Sequence, residues 1–424
     1  MHINQRRFIM LFVLLAAGLT LASCDIPGAG TIPSGTPDMG NGTPAVIASP
    51  GAAEEHIQPA SPEALGSTYA FVRDQQLWVA LNGKQPVQAT SFRYANLPDV
   101  SWHTPVWSPG DGHIAFIMNA RPAGLGGGGC PAPDYGANGA LYVLNTGSMQ
   151  ATQVIVPADK GDALASSPYN GYWQYVFWED ATHLLAWYNG VIGKTSATAG
   201  LYRYDTATRK LSPVLPLSSL GVATIFTERG NQPLLLSMQY NGGELYYQVV
   251  THPFEQASQF IIYRRAVDHP QSASSIVFSA GSEAWCGSAQ SGSLEMPGWA
   301  ISPDGAQLVA QVASGSPGSS VQALSLSDHT ITPLFTGLPA TMLAHDLLLA
   351  WGPDCQTVVA SQAHLLSQNS PYSATLANPA SMQAYGLNAA GPAAWRSDGK
   401  AFALSSLDVS DVGDMGSMYV YTIG

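Results

Sequence analysis

The chain has 424 residues, of which 46% are hydrophobic and only 10% are charged. Its 28 acidic residues outnumber its 16 basic residues, which gives a net charge of −12. This balance argues against nucleic acid and against an anionic membrane surface as direct partners, because both would repel the chain.

Residues 1–23 have the pattern of an export signal. Two arginines precede the apolar run Phe8–Leu21, which is too short to span a bilayer comfortably. The run leads into Leu21-Ala22-Ser23-Cys24, which resembles the bacterial lipoprotein signal, in which the cysteine is lipidated and becomes the first residue of the mature chain. We therefore predict a lipid anchor on Cys24 that holds the protein on the outer side of the bacterial cell membrane. An ordinary signal peptide that ends near a cysteine is the alternative.

Residues 24–66 are predicted to form a disordered tether. The segment is rich in Pro, Gly, Ser and Thr and has no apolar period. Such a composition buries too little surface to offset the entropy lost on ordering. As a flexible coil, its ends would lie roughly 35 Å apart, which lifts the rest of the chain away from the membrane.

Residues 67–424 repeat one short phrase, an aromatic strand followed by a polar turn and an apolar strand. The clearest copies lie at 106–117, 299–312, 350–360 and 394–404. A repeat of this kind predicts an all-β fold, the β-propeller, because stacked units bury the apolar faces of one another. Seven second strands can be placed, which favours seven blades, with six as the alternative.

The turn of the repeat is best seen in Ser302-Pro303-Asp304-Gly305. Proline presets φ for the turn, aspartate can bond its own backbone, and glycine accepts a positive φ. These phrases resemble the TolB-type propeller repeat over about residues 68–424. The resemblance implies a propeller fold and a tendency to bind other molecules on one rim or face. The helical N-terminal domain of that family has no counterpart in this sequence, so its role in the Tol system does not carry over.

The repeat is weak in its third and fourth units, where residues 178–183 and 226–231 replace the turn phrase. In the fourth unit we predict a first strand around Phe226, a second strand at Leu234–Met238, and a long loop at Asn241–Gln259. Long connections on one face of a rigid scaffold are where binding usually occurs, although tolerated insertions are the alternative.

Aromatic residues in or near these long connections are the candidate ligand-binding residues, since aromatic rings beside Asn, Gln and Ser suit sugars. Caps at the ends of blades are the alternative role. The candidates are Trp102, Trp173, Trp285, Tyr135 and Tyr172. The tryptophans of the repeat itself are predicted to be structural: Trp107, Trp178, Trp299, Trp351 and Trp395.

Three cysteines remain besides Cys24. Cys130 and Cys286 lie in long loops assigned to the same face, so we predict a disulfide between them, whereas Cys355 lies in a tight hairpin on the opposite face.

The sequence offers little catalytic chemistry. It has no nucleophile elbow, zinc-protease or phosphate-loop motif, and we predict no metal and no cofactor. Weak alternatives are a metal site on scattered histidines (His103, His252, His345 and His364) and a calcium loop (Asp408, Asp411 and Asp414). The favoured function is a cell-surface lipoprotein whose propeller binds an envelope protein or glycan on its long-loop face. The alternatives are an extracellular propeller hydrolase or lyase acting on a sugar or lactone, and a structural role in the envelope.

Overall fold

The computed structural model describes residues 66–73, 76–91, 99–102, 105–121, 138–157, 173–190, 197–222, 233–251, 258–282, 298–312, 320–335, 338, 347–362, 371–385, 390–407 and 415–422. Residues 1–65, which include the predicted signal peptide, Cys24 and most of the predicted tether, lie outside these described residues. All of the described residues belong to one unit, Glu55–Gly424. Within them, no helix is long and apolar enough to cross a membrane.

The strands of the described residues form seven antiparallel sheets. The first sheet contains β1 (Tyr69–Arg73), β2 (Gln76–Ala80) and β3 (Val87–Gln88). The second contains β4 (Asp99–Trp102), β5 (Val106–Trp107), β6 (His113–Arg121), β7 (Asn138–Asn145) and β8 (Gln150–Val154). The third contains β9 (Trp173–Trp178), β10 (His183–Tyr188), β11 (Gly200–Asp205) and β12 (Lys210–Pro216), followed by a 3₁₀ turn at Leu217–Ser219.

The remaining four sheets continue in chain order. The fourth contains β13 (Leu234–Asn241), β14 (Glu244–Thr251), β15 (Ser258–Ala266) and β16 (Ser275–Ser282). The fifth contains β17 (Trp299–Ile301), β18 (Gln307–Val312), β19 (Ser320–Ser325) and β20 (Ile331–Leu334). The sixth contains β21 (Leu347–Trp351), β22 (Thr357–Gln362), β23 (Tyr372–Thr375) and β24 (Asn378–Ala384). The seventh contains β25 (Ala390–Trp395), β26 (Ala401–Leu407) and β27 (Met415–Thr422).

The arrangement of the sheets is that of a β-propeller, as the sequence predicts. Each sheet is a meander in which strands adjacent in the chain pair with each other, except that β4 and β5 of the second sheet both pair with β6. From the second sheet to the seventh, the first strands lie next to one another in chain order, and β1 of the first sheet lies beside β27 of the last. A ring of meanders with their first strands innermost satisfies both observations.

The hydrophobic core lies between consecutive sheets. One cluster joins Leu185 and Trp187 of the third sheet to Leu245 and Tyr247 of the fourth, and equivalent clusters join the other consecutive pairs. A sheet with neighbours on both sides has two buried faces, so its strands are continuously apolar rather than alternating. In β10, five consecutive residues from Leu184 to Tyr188 are buried. Burial of each large side chain contributes about 1.5–3 kcal/mol.

The repeated turn has the predicted geometry. In the fifth sheet, Ser302 Oγ donates to Asp304 Oδ1 at 2.5 Å, and the main-chain nitrogen of Gln307 donates back to Ser302 Oγ at 2.9 Å. Gly305 closes the turn at φ 70°. Cys355 occupies the equivalent position in the sixth sheet and adopts φ 55°, a conformation that costs a residue with a Cβ about 1 kcal/mol.

The prediction for the fourth unit is wrong at two points. Leu234–Met238 lies in the first strand, β13, rather than in the second. The second strand is β14, which occupies part of the stretch Asn241–Gln259 that was assigned to a loop. The two strands are joined by Gly242 and Gly243, both at positive φ, a two-residue hairpin that matches the twist of the strands. The predicted strand around Phe226 lies outside the described residues.

The first and last of the seven sheets have three strands each in the described part of the chain. The second sheet has a split first strand, because both β4 and β5 pair with β6. The described residues thus form as many sheets as the predicted seven blades, and the number of blades in the closed ring stays a prediction.

Candidate functional site at the long-loop end of the inner strands

The connections of the propeller divide between two faces. On one, here called the hairpin face, first strands turn into second strands and third strands turn into fourth strands. These turns run from two residues, at Gly242–Gly243, to eight, at 267–274. The other face, here called the long-loop face, carries most of the longer connections, such as 122–137 and 155–172. Much of the long-loop face lies outside the described residues, so its described part is the ends of the strands themselves.

Trp173 is the one predicted ligand-binding residue whose side chain is described, and it belongs to the core. Its exposed fraction is 3%. Its ring centroid lies 4.8 Å from that of Tyr188 and 5.9 Å from that of Tyr202. The ring therefore seals the end of the third sheet, the alternative role that the sequence left open, and the exposure expected for direct stacking on a sugar is not present.

The other predicted site residues are described in part or not at all. The backbone of Trp102 ends β4 and pairs with Met118. Trp285, Tyr135, Tyr172, Cys130 and Cys286 lie outside the described residues, and so do the histidines and aspartates of the weak metal alternatives. Among the described residues, no group of three or more His, Cys, Asp or Glu side chains is placed to hold a metal ion.

A β-bulge lies at the long-loop end of β9. Trp173 pairs with Tyr188 and Tyr175 pairs with Trp187, so Gln174 is an extra residue in the first strand of the third sheet. β13 has a similar irregularity, because Leu235 pairs with Val249 and Ser237 with Gln248, which leaves Leu236 between them. Bulges change the direction of a side chain and are common near functional sites.

Four side chains form a hydrogen-bonded chain around this bulge, here called the mouth network: Trp187, Asn189, Gln174 and Tyr175. Trp187 Nε1 donates to Asn189 Oδ1 at 2.7 Å, and Asn189 Nδ2 donates to Gln174 Oε1 at 2.8 Å. Gln174 Nε2 donates to the hydroxyl of Tyr175 at 2.9 Å, which donates to the main-chain oxygen of Leu236 at 2.5 Å. The network therefore links the bulges of two neighbouring inner strands.

Every donor in the mouth network points in the same direction along the chain of bonds. Hydrogen bonds in such a chain polarise one another, which strengthens each bond and fixes each side chain. Trp187 and Asn189 are buried, at 0% and 4% exposure, whereas Gln174 is half-buried. Tyr175 is half-buried as well, so the network runs from the buried Trp187 and Asn189 to two half-buried side chains of β9.

The polar contacts continue into the fifth sheet. Ser237 follows the bulge of β13 and accepts a bond from Trp299 Nε1 at 2.7 Å, while its own hydroxyl donates to Gln248 Oε1 at 3.0 Å. Gln239 then bonds both the main-chain oxygen of Trp299 and the main-chain nitrogen of Ile301. These contacts hold neighbouring inner strands in a fixed register.

A cluster of charged side chains lies among the described residues of the hairpin face. Arg203 Nη2 donates to Glu179 at 2.6 Å and to Asp268 at 2.8 Å, and its Nε also donates to Glu179. The bonds to Glu179 raise the pKa of Arg203 above its ordinary value, although burial acts in the other direction. Burial raises the pKa of the nearby Tyr240, and the charge of Glu179 adds to that rise. This cluster links the third sheet to the fourth. None of its charged side chains belongs to the mouth network.

Sequence reasoning did not identify Gln174 or Asn189. Gln174 directly follows Trp173, which the sequence did single out, and this proximity was the available signal; Asn189 had none. The bulge was not predictable, because the apolar pattern of residues 173–178 is compatible with a regular strand.

Several solved β-propeller structures are similar to this chain. TolB from Acinetobacter baumannii is 14% identical at a TM-score of 0.38, covering 73% of this chain and 60% of its own. The propeller domain of the Trilobed protease from Pyrococcus furiosus is 9% identical at 0.43, covering 84% and 90%. Oligogalacturonate lyase from Vibrio parahaemolyticus is 10% identical at 0.45, covering 80% and 77%.

TolB is thus among the structures that this chain resembles, and the chain spans less than two thirds of that TolB structure. Neither a family model nor a curated protein sequence matches the chain. The propeller assignment rests on the sheet topology, because similarities at these scores and identities carry no argument about function.

Proposed function

We propose that the protein is a lipid-anchored, extracytoplasmic propeller that binds an envelope glycan or protein on its long-loop face, without nucleic acid and without a catalytic centre. The observation that carries this proposal is the mouth network, an uncharged array of amides, an indole and a phenol between the first and second strands of the third sheet. Binding sites commonly combine apolar and aromatic walls with a few fixed polar groups. The enzyme alternative would instead need acids or histidines that converge near the central channel.

The composition of the inner strands supports a binding role. Apart from Arg73 of β1 and Asp99 of β4, whose side chains lie outside the described part, the first strands β1, β4, β5, β9, β13, β17, β21 and β25 contain no Asp, Glu, His, Lys or Arg. Their polar residues are amides, hydroxyls and indoles. These groups bind neutral ligands by hydrogen bonds and stacking, and they do not transfer protons readily at neutral pH.

The anchor is tested with the full-length protein and its Cys24→Ser variant in the bacterial host. The wild type should appear in the membrane fraction because its lipid anchor holds it there. The variant should be released or retained as the uncleaved precursor. A Cys24→Ser variant that is processed to a mature N-terminus and still fractionates with the membrane would contradict lipidation.

The binding face is tested by capture of envelope extract on the detergent-solubilised full-length protein. Trp285→Ala, in a long-loop connection, should weaken capture, and loss of a buried aromatic contact typically costs about 1–3 kcal/mol of binding. Ser327→Ala, in an exposed turn on the hairpin face, is the control and should leave capture unchanged. Equal loss in both variants would contradict the assignment of the face. Turnover of an envelope sugar or lactone by the wild type would favour the enzyme alternative.

A further inference from the structure

The side chain of Gln174 has unused hydrogen-bonding capacity. A primary amide carries two N–H donors, and its oxygen has two acceptor positions. The mouth network uses one donor, toward Tyr175, and one acceptor position, toward Asn189. Within the described part of the chain, one donor and one acceptor of the same amide therefore remain, on a side chain that is half-buried.

The position of this amide is fixed by two independent features. The bulge inserts Gln174 between the pairs Trp173–Tyr188 and Tyr175–Trp187. The bonds from Asn189 and to Tyr175 then hold both ends of the amide. A group held in this way loses little conformational freedom when a ligand binds, which favours recognition.

We propose that Gln174 is a recognition residue for a neutral carbohydrate, and that Asn189 and Tyr175 are its positioning residues. Adjacent hydroxyls of a sugar can accept from the amide nitrogen and donate to the amide oxygen together. The inference rests on the proposed function, because it names the ligand class of the same long-loop face.

A neutral ligand fits the surroundings better than an ionic one. The mouth network contains an indole, two amides and a phenol, and among the described residues no carboxylate or cationic side chain bonds to Trp187, Asn189 or Gln174. The aromatic rings of Trp173, Tyr188 and Tyr202 pack against one another in the core cluster between the second and third sheets, next to the network in the chain. The chain is also acidic, with a net charge of −12, which disfavours an anionic polysaccharide.

The test measures binding of chitotetraose and cellotetraose to the detergent-solubilised full-length protein by ligand-observed NMR. The wild type should bind at least one of these tetrasaccharides. Gln174→Met keeps the length of the side chain and removes the amide donor and acceptor that would bond the sugar. Its Kd for the tetrasaccharide should therefore rise about tenfold. Tyr175→Phe keeps the ring and frees one end of the amide, so its Kd should rise by a smaller factor.

Gln322→Met is the matched control. Gln322 is a half-buried glutamine on β19, and its amide bonds Ser320 outside the mouth network. This variant should bind the tetrasaccharide like the wild type. Thermal unfolding checks that each variant is folded, and if Gln174→Met does not fold, Tyr175→Phe decides the outcome.

The proposal is overturned if the wild type binds neither tetrasaccharide, or if Gln174→Met, or Tyr175→Phe in its place, binds as tightly as Gln322→Met. Its failure is distinguishable from failure of the proposed function. A protein that captures an envelope component through Trp285, yet binds no tetrasaccharide, retains its long-loop binding face and loses only the carbohydrate assignment.

Discussion

Trp351 Nε1 donates a hydrogen bond to the main-chain oxygen of Ala300 at 3.0 Å, which joins the first strand of the sixth sheet to that of the fifth. The same position of the repeat makes the same kind of link elsewhere. Trp178 Nε1 donates to the main-chain oxygen of Val106 in the preceding sheet at 2.9 Å. Trp299, which lies two residues before the equivalent position, bonds Ser237 of its preceding sheet. Tryptophans at or near this position therefore link the third, fifth and sixth sheets to the sheets before them.

Trp395 breaks this pattern and provides an internal control. Its indole nitrogen is buried and has no hydrogen-bond partner among the residues that the structure describes, although its ring lies within contact distance of the position where a Cβ of Gly352 would be. Trp351→Phe should lower the free energy of unfolding by about 1–2 kcal/mol more than Trp395→Phe, because only the former loses a made bond. Both variants lose similar ring volume, so the difference between them in urea unfolding isolates the bond. Equal losses would show that packing alone determines stability at this position.

A second prediction concerns the close approach of the fifth and sixth sheets. A Cβ at Gly298 would lie 1.7 Å from the main-chain oxygen of Leu347. The amide oxygen of Gln311 holds both backbones there, accepting from the nitrogen of Leu347 at 3.1 Å and from that of Gly298 at 3.5 Å. The backbones at Gly298 and Leu347 therefore cannot move apart without breaking these two hydrogen bonds.

Gly298→Ala should therefore destabilise the protein by about 3 kcal/mol or more, since both backbones must move. Gly112→Ala is the control, because nothing lies within 4 Å of its Cβ position, and its effect should stay within about 0.5 kcal/mol. Chemical unfolding of both variants measures the difference. A folded Gly298→Ala variant of wild-type stability would mean that the sheets pack less closely than described.

The sequence could predict those parts of the fold in which local chemistry repeats. Pro303, Asp304 and Gly305 each favour the same turn, so that hairpin and its strands were predictable. In contrast, β14 was missed because its hairpin uses Gly242–Gly243 instead of the repeated phrase, and a two-glycine turn within an aromatic stretch resembles an irregular loop.

The candidate site was less predictable than the fold. Whether an aromatic residue such as Trp173 is exposed depends on what packs over it from the neighbouring strands, and composition does not contain that information. The role of Gln174 depends on a one-residue bulge, a change of register that leaves the apolar pattern of the strand unaltered. The site therefore depends on pairing between strands, whereas the fold depends on local turns.

A third prediction concerns acid stability. Asp328 lies in an exposed turn on the hairpin face, where bonds from Ser325 and Thr330 lower its pKa from 3.8 to about 2. A carboxylate with a lowered pKa stabilises the folded protein above its unfolded pKa, and that contribution is lost as the pH falls through the folded value. The stability supplied by Asp328 should therefore decrease between about pH 4 and pH 2.

The Asp328→Asn variant tests this prediction through urea unfolding at pH 5 and at pH 2. The wild type should be the more stable of the two at pH 5, and the difference should narrow markedly at pH 2. Ser148→Ala changes another exposed turn without a titrating group, so its effect should be the same at both pH values. A difference between wild type and Asp328→Asn that does not depend on pH would rule out the charged form of Asp328 as its source.

The final prediction concerns the cysteines. Cys355 is a free thiol, half-buried in the turn between β21 and β22, and burial raises its pKa. Because the thiolate is the reactive form, Cys355 should alkylate slowly at neutral pH and faster as the pH rises.

The predicted disulfide between Cys130 and Cys286 would leave Cys355 as the one reactive thiol of the lipidated chain. Alkylation under non-reducing conditions followed by peptide mass mapping should therefore label Cys355 and recover Cys130 and Cys286 in one bridged peptide. Cys355→Ser, the matched variant, should then show no labelling at all. Labelling of Cys130 and Cys286 in that variant would show that the bridge does not form, and recovery of Cys355 in a mixed disulfide would contradict its assignment as free.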